Sequence, residues 1–474
     1  MAMGEEKTYD VIVIGAGSTG ENVAERAVRG GLSAALVESA LVGGECSYYA
    51  CMPSKALLRG PEAIAAARAV AGAAEAVTGH LDVPATFQRR DGFTSHWDDS
   101  SQRKWAESKQ IDVIRGAGRL AGERTVVVSA DGAADITLHA AQAVAICTGS
   151  HATLPPVDGL ADARPWTPRD ATSAHDVPTR LAILGGGVVG SEMATAWNAL
   201  GARVTLLEVA DRLLAGHEPF AGEAVAGALR SSGVDVRVGV TVDRVTRDGA
   251  GPTTLHLGEQ AVTADTLLVA AGRGTDLDTL GLDSIGVTAT KWLEVDDTGQ
   301  VAGIDWLYAA GDVTGRALLT HMGKYAARAA GDSIVARSRG EHVDASARWS
   351  RFTATADHHV VPAVAFTDPQ VAAVGRTEKV ARDEGRAIRT VEYDLADVAG
   401  AAVRADGYAG HAKLVIDDER DVILGAAFVG PDVGEMLHAA TIAIVGEVPL
   451  DRLWHAVPSY PTVSEVWLRL LESD

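Results

Sequence analysis

One pattern occurs twice in this chain: an apolar strand, Gly-x-Gly-x-x-Gly, a helix, a second strand and a terminal acid. Few folds accommodate it even once. The first copy is YDVIVI (9–14), then Gly15, Gly17 and Gly20 of GAGSTG, a helical stretch from Glu21 to Arg29, and SAALVE ending at Glu38. The second begins at Arg180 with RLAIL, passes Gly185, Gly187 and Gly190, and ends its closing strand at Glu208. A short β-branched run entering a glycine turn reads as a buried parallel strand feeding a helix. The glycines let backbone approach a pyrophosphate, which rests on the positive end of that helix. In both copies the acid follows the third glycine by 18 residues (20 to 38, 190 to 208), where it can hold a ribose hydroxyl. Two such fingerprints imply two nucleotide sites on two separate domains. At Glu208 a carboxylate accepts from a free 2′-hydroxyl and repels a 2′-phosphate, which favours NADH over NADPH. Arg212 could reach a phosphate and keeps NADPH open.

Directly after the first copy, GGECSYYACMPSKALLR (43–59) carries Cys46 and Cys51, and Cys147 is the only other cysteine. A zinc site would need two further soft ligands that no second cysteine pair supplies, so no metal is expected. The remaining reading is a pair that opens and closes as a disulfide. Pro53 disfavours a helix interior, so a helix is expected to begin about there and to break near Pro61. Cys51 would then lie near a helix N-terminus, whose partial positive charge favours the thiolate. Cys147, inside the apolar run AVAICTGS, reads as buried and inert.

At 474 residues the chain should hold three or so domains, and its 47% hydrophobic content is ample for their cores. No run is long and apolar enough to span a bilayer. MAMGEEKTYD carries acids where a signal peptide would be apolar, which places the protein in the cytoplasm. There an ordinary disulfide would be reduced, so a cysteine pair is expected to be catalytic. The net charge of −21 argues against nucleic-acid and anionic-membrane partners. The stretch from 79 to 105 is mixed and polar and assigns little. IDVIRGAGRL, RTVVVSA and DITLHA read as strands of an antiparallel excursion, with AVAICTGS a returning buried strand. HATLPPVDGL connects domains. RALLTHMGKYAARAAGDSIVARS has helical spacing, and ASARWSRFTATADHHV reads as a boundary. From about Val361 onward, short strands alternate with helical patterns and no glycine fingerprint, as in an α+β domain that pairs subunits.

Two dinucleotide sites and a cysteine pair can form an electron relay, with a flavin as the natural middle member. The chain resembles the class I FAD-dependent pyridine nucleotide–disulfide oxidoreductases, the family of dihydrolipoamide dehydrogenase, glutathione reductase and mercuric reductase. The resemblance is carried by GAGSTG, GGECSYYACMPSK, AICTGS, GGGVVGSE, VAAGR, YAAGDV, AFTDPQVAAVG and YPTVSE, over nearly the whole chain. It implies an α/β fold with two Rossmann-like dinucleotide-binding domains plus a C-terminal α+β dimerisation domain. The implied limits are 1–155 for the first part of the FAD domain, 156–275 for the NAD(P)H domain, 276–345 for the return to the FAD domain and 346–474 for dimerisation. By resemblance, Gly15, Gly17, Gly20 and Glu38 hold the adenosine half of FAD. Asp312 binds near its ribityl chain, and Gly44, Gly149, Gly311, Gly272 and Arg273 stand in the other cofactor motifs. Gly185, Gly187, Gly190 and Glu208 hold NADH. Cys51 is the charge-transfer thiolate nearer the flavin, Cys46 the interchange thiol that attacks substrate, and Lys55 and Glu192 pair beside the hydride-accepting ring.

The chain departs from the family near its end. Its relatives usually carry His-Pro-Thr there, with a glutamate five residues after the histidine, which shuttles a proton from the partner subunit. Here Tyr460 stands in the histidine's place while Glu465 is retained. A phenol, with an unperturbed pKa of about 10, is a poor base at neutral pH but can donate a proton or hydrogen bond. His455 could substitute only if the loop is rearranged. Losing the histidine matters least for a leaving group already stable as an anion or thione. The leading expectation is therefore an NADH-preferring reductase of a small-molecule disulfide, such as that of the thione-forming ergothioneine, acting as a homodimer with a shared active site. The alternatives are a quinone or dye reductase using the flavin directly and a dihydrolipoamide dehydrogenase-like enzyme. With no cysteine after Cys147 to receive a metal ion, mercury reduction is disfavoured.

Overall fold

The computed structural model describes residues 5–474, so the first four residues of the polar N-terminal stretch lie outside it. The chain divides into two compact units.

The first unit takes residues 5–52, 91–151 and 273–358. Its sheet runs, in order, Ile111–Arg115, Ala34–Glu38, Glu6–Ile14, Ile136–Ile146, Thr125–Ser129 and Ala117–Leu120, with Leu307–Ala309 also paired to Ile136–Ile146. Val11 to Ile14 are fully or almost fully buried, as expected of a central parallel strand covered on both faces. Helices Ser18–Arg29 and Thr320–Ser338 pack together through small residues: a Cβ on Gly331 would sit 2.5 Å from Arg26 Cβ. Two expectations change here. Ile111–Arg115 pairs parallel to Ala34–Glu38, so it belongs to the central sheet and not to the antiparallel excursion. DITLHA and AVAI are one 11-residue strand, antiparallel to Thr125–Ser129 over its first half and parallel to Glu6–Ile14 along its length. The polar stretch that assigned little contains helices Val83–Phe93 and Ser100–Ser108, whose buried faces are too narrow to show as periodicity.

The second unit takes 53–90, 152–272 and 359–474. A parallel sheet of Asp235–Arg237, Arg203–Leu207, Arg180–Leu184 and Thr266–Val269 repeats the first fingerprint architecture. The fully buried Trp197 centres the core beside it. An antiparallel sheet follows in the order Ala363–Ala365, Gln370–Gly375, Val422–Gly430, His411–Asp417 and Ile388–Asp394. The helix after the cysteines runs Cys51–Arg68. It starts two residues before the expected Pro53, which a first helical turn tolerates, and passes through Pro61 unbroken. Buried Ala56, Leu57 and Leu58 anchor the turn just before Pro61 and offset its lost hydrogen bond.

Candidate active site

The two fingerprints match bond for bond at an offset of 170. Gly15 N donates to Val37 O at 2.8 Å, and Gly185 N to Leu207 O at 2.8 Å. The Glu38 carboxylate accepts from Ala16 N and Ala40 N, each at 2.8 Å, and the Glu208 carboxylate accepts from Gly186 N and Ala210 N. A Cβ on Gly20 would lie 1.9 Å from Gly15 O, and one on Gly190 would lie 1.8 Å from Gly185 O, so only glycine permits these turns. Neither helix N-terminus is capped by a side chain. Over Gly17 an added Cβ would meet only Gly44 Cα at 3.8 Å, and over Gly187 nothing within 4 Å. Uncapped N–H groups facing open space suit a pyrophosphate, so the residues of both turns fit a dinucleotide.

The cysteine loop lies on the first of these turns. Gly43 N donates to Ala16 O at 2.8 Å, and Gly44 approaches so closely that a Cβ would sit 2.7 Å from Gly17 Cα. Cys46 follows in the short helix Gly44–Tyr48, and Cys51 opens Cys51–Arg68. Thr320, the first residue of the helix Thr320–Ser338, brings its hydroxyl to 3.2 Å from Cys51 Sγ. Both cysteines are half-buried thiols. A hydrogen bond with Cys51, then burial and the charge of Cys51, push the Cys46 thiol up, while the Thr320 hydroxyl and the Lys324 ammonium pull it down. The proton on Cys46 is therefore held tightly beside Cys51. Cys147 is buried, and burial pushes it up to about 12, so it stays protonated and unreactive.

Next to Gly149, Ser150 Oγ donates to Asp312 Oδ2 at 2.6 Å, and Arg273 binds Ser150 through Nε to Oγ and Nη2 to O, each at 2.7 Å. Gly311 precedes Asp312 with φ +81°. Gly272 ends a segment of the second unit, facing Thr153 Oγ1. In that unit Lys55 Nζ bonds both Glu192 oxygens, at 3.0 and 2.8 Å, and lies 4.8 Å from the Phe366 ring centroid. Glu192 comes from the second fingerprint helix and also accepts from Phe366 N at 3.0 Å. On the antiparallel domain, Tyr460 is 75% exposed. Glu465 is buried, with Oε1 held by Arg469 at 2.7 Å and Oε2 without a hydrogen-bond partner. Sequence reasoning missed Thr320, Ser150, Glu21 and Lys324. Nothing local marks any of these, and Glu21 reads as an ordinary acid of a first helical turn. Among the described residues no group of three or more His, Cys, Asp or Glu is placed to hold a metal ion. No helix there is long and apolar enough to cross a membrane.

A chain that can cradle two dinucleotides and lays a cysteine pair on one of the cradles is, by class, a flavin-linked oxidoreductase working through sulfur. Residues 9–332 match the family described as pyridine nucleotide-disulphide oxidoreductase, and residues 361–470 match its dimerisation domain. The chain belongs to that family: it is an NAD(P)H-dependent disulfide oxidoreductase whose cofactor is FAD. It is 31% identical over 488 residues to a dihydrolipoyl dehydrogenase of Haloferax volcanii (100% of this chain, 98% of the relative). It is also 31% identical over 472 residues to a mercuric reductase of Shigella flexneri (98% of this chain, 80% of the relative). Among solved structures, the HOCl-induced flavoprotein disulfide reductase RclA from Escherichia coli superimposes with a TM-score of 0.82 at 25% identity, over 98% of this chain and 99% of that one. The dimerisation domain supports a homodimer.

Proposed function

We propose that the protein is an NADH-preferring reductase of a small-molecule disulfide, acting as a cytoplasmic homodimer in which each active site draws on both subunits. The observation that carries this reading is the seating of Cys46 and Cys51 on the first glycine turn, with the Thr320 hydroxyl at Cys51 Sγ. The Cys46 thiolate attacks a substrate sulfur, forming a mixed disulfide and releasing one thiolate. Cys51 then attacks the Cys46 sulfur, releasing the second thiolate and closing the Cys46–Cys51 disulfide. Two electrons from NADH reopen it, so one NADH, one proton and one disulfide give NAD⁺ and two thiols. FAD, when bound, passes the electron pair between nicotinamide and sulfur. Gly15, Gly17, Gly20, Glu38 and Asp312 would hold FAD, and Gly185, Gly187, Gly190 and Glu208 the nicotinamide cofactor. Lys55 is locked by Glu192 as a fixed ammonium.

Nicotinamide preference is supported by the carboxylate of Glu208 and by the engagement of Arg212, whose Nη2 donates to Ala215 O and His217 O instead of facing a phosphate. A shared site is supported by apolar side chains left exposed on the dimerisation domain, among them Ile442 (58%), Trp454 (50%) and Val457 (82%), in the same region as Tyr460. With a phenol in place of the histidine, the substrate that suits the site best has thiols that leave readily as anions or thiones, and the ergothioneine disulfide is one such. The test counts alkylatable thiols before and after anaerobic NADH. Wild type should gain two, and Cys46→Ser should gain none and lose disulfide turnover. No gain in wild type would sink the reading. Tyr460 also favours a second reading, direct reduction of a quinone, which would survive Cys46→Ser.

A further inference from the structure

Cys46 sits on the helix Gly44–Tyr48, whose five residues are too few to hold a helix by themselves. Its N-cap, Gly43, is left-handed with φ 112° and offers no side chain, so the helix depends on its surroundings. One segment, distant in sequence, grips both of its ends. At the C-terminal end the Trp97 indole Nε1 donates to the Tyr48 carbonyl at 3.1 Å, one of those that a helix end leaves unpaired. At the entry the Asp99 carboxylate accepts from Val42 N at 2.9 Å, and the Tyr48 hydroxyl donates to Val42 O at 3.1 Å. Asp99 is itself only 5% exposed. It is held by Arg103 Nε at 2.9 Å and by Arg115 Nη2, while Arg115 Nη1 donates to Ala40 O. The segment adopts a strained shape to do this. Ser95, His96 and Trp97 are consecutive, and all lie in the left-handed region, with φ 50°, 53° and 58°. Residues with a Cβ persist there only where their surroundings over-determine them, and such strain collects at functional places. Ser95 and His96 are exposed, so burial does not explain the turn. What it achieves is placement: Trp97 and Asp99, two positions apart, reach opposite ends of the helix that carries Cys46.

We propose that Trp97 and Asp99 are positioning residues that hold Cys46 in register with Cys51 and so set how readily the pair closes. They act through the helix Gly44–Tyr48. Closure joins Cys46 Sγ to Cys51 Sγ, and a disulfide tolerates only a narrow range of Cβ separations. Every orientation of the helix that takes Cys46 outside that range must be given up on closure, at a cost in entropy. A helix clamped at both ends has given them up in advance. Released at one end, the reduced pair gains freedom that the disulfide cannot share, and the equilibrium moves towards the dithiol. The same placement serves the step in which Cys51 attacks the Cys46 sulfur of the mixed disulfide.

The inference rests on Cys46 and Cys51 being the redox couple, and its test reads that couple without substrate. Holoenzyme, under argon and without NADH, is equilibrated at pH 7 with graded ratios of reduced and oxidised dithiothreitol. Closing the pair passes two electrons and two protons to oxidised dithiothreitol, which becomes the dithiol. Acid quenching, alkylation and mass spectrometry of the peptide carrying both cysteines give the closed fraction, and hence the constant for closure. Trp97→Phe, which removes the indole donor and keeps an aromatic ring, should lower this constant about fivefold, about 20 mV for a two-electron couple. Asp99→Ala, which frees Val42 N, should lower it about tenfold, about 30 mV. Arg103→Met removes one partner of Asp99 and leaves the bond to Val42 N, so it should lower the melting temperature without moving the constant. Melting temperature and flavin content are measured for every variant. An unchanged constant in Trp97→Phe, or an equal shift in Arg103→Met, would overturn the clamp. A wild-type pair that closes at no dithiothreitol ratio would instead overturn the redox reading beneath it.

Discussion

The Lys55–Glu192 pair allows its coupling to be calculated and measured in place. Glu192 is 4% exposed, and its donors are Lys55 Nζ, on both oxygens, and the Phe366 N–H. Breaking a fully buried pair costs about 3–5 kcal/mol, whereas an exposed pair is worth about 0.2–1 kcal/mol. The Lys55 side chain is 36% exposed, so the case lies between these limits. Lys55→Met strands the carboxylate on a single backbone donor and removes the cation from the Phe366 ring, for about 2 kcal/mol. Glu192→Gln keeps the shape and the acceptor for Phe366 N and leaves a partly solvated ammonium, for about 1 kcal/mol. With both charges gone neither is stranded, so the double variant should cost about 1.5 kcal/mol in place of the additive 3. A multidomain flavoprotein does not unfold in two states, so the readout should be local. Hydrogen exchange at the Phe366 amide suits it, because that N–H is bonded to Glu192. Lys55→Met should speed this exchange by about thirtyfold, as about 2 kcal/mol implies, and adding Glu192→Gln should slow it again. Exchange rates that multiply through the cycle would refute the coupling and return both residues to independent surface charges.

The same geometry fixes other outcomes. Gly20→Ala should yield protein without flavin, and Gly190→Ala should yield yellow protein with NADH affinity lost, because each methyl would fall inside 2 Å of a carbonyl oxygen; absorbance and NADH titration decide. The Glu21 carboxyl, raised from 4.5 to about 7, binds its proton more tightly folded than unfolded. Its contribution to stability is therefore present below pH 4.5 and lost as pH rises to 7, by about 3 kcal/mol in total. Glu21→Gln should consequently melt several degrees higher than wild type at pH 8 and equally at pH 4. Tyr460→Phe should lose disulfide turnover if the phenol donates a proton, and unchanged rates would assign it to packing.

What could be read in the sequence was whatever repeats at short range. Each fingerprint packs its strand, turn, helix and acid into about thirty residues, so both strand–turn–helix units were visible, down to the acids Glu38 and Glu208 that bond the turn backbone. The cysteine pair was visible because the chain is so poor in cysteine. What escaped depends on contacts distant in sequence. Thr320 reaches Cys51 across 269 positions. Arg90, wholly buried, donates to the carbonyls of Thr172 and Ala174 from a stretch whose composition reads as surface. Pro61 misled because one missing donor counts for less than the buried leucines beside it. Only the burial of its Oε1 separates Glu21 from an ordinary first-turn acid.

The two turns agree bond for bond, yet their surroundings differ in a way that suits two kinds of cofactor. In the first copy Gly43 bridges to Gly17, Gly44 sits against it, and Gly311 and Gly323 both close on Thr19. In the second copy Gly187 has open space above it, and Val189, the counterpart of Thr19, is 38% exposed. The first turn thus has the cysteine loop and the helix Thr320–Ser338 packed beside it, whereas Gly187 in the second has nothing within 4 Å of an added Cβ. A resident flavin and an exchanging nicotinamide need that division. The added layers, rather than the shared fingerprint, therefore distinguish the two turns. Because the layer beside the first turn also carries Cys46, Cys51 and Thr320, a flavin held on that turn and the sulfur pair would depend on the same contacts. A substitution that loosens the Gly17–Gly44 contact should cost both together.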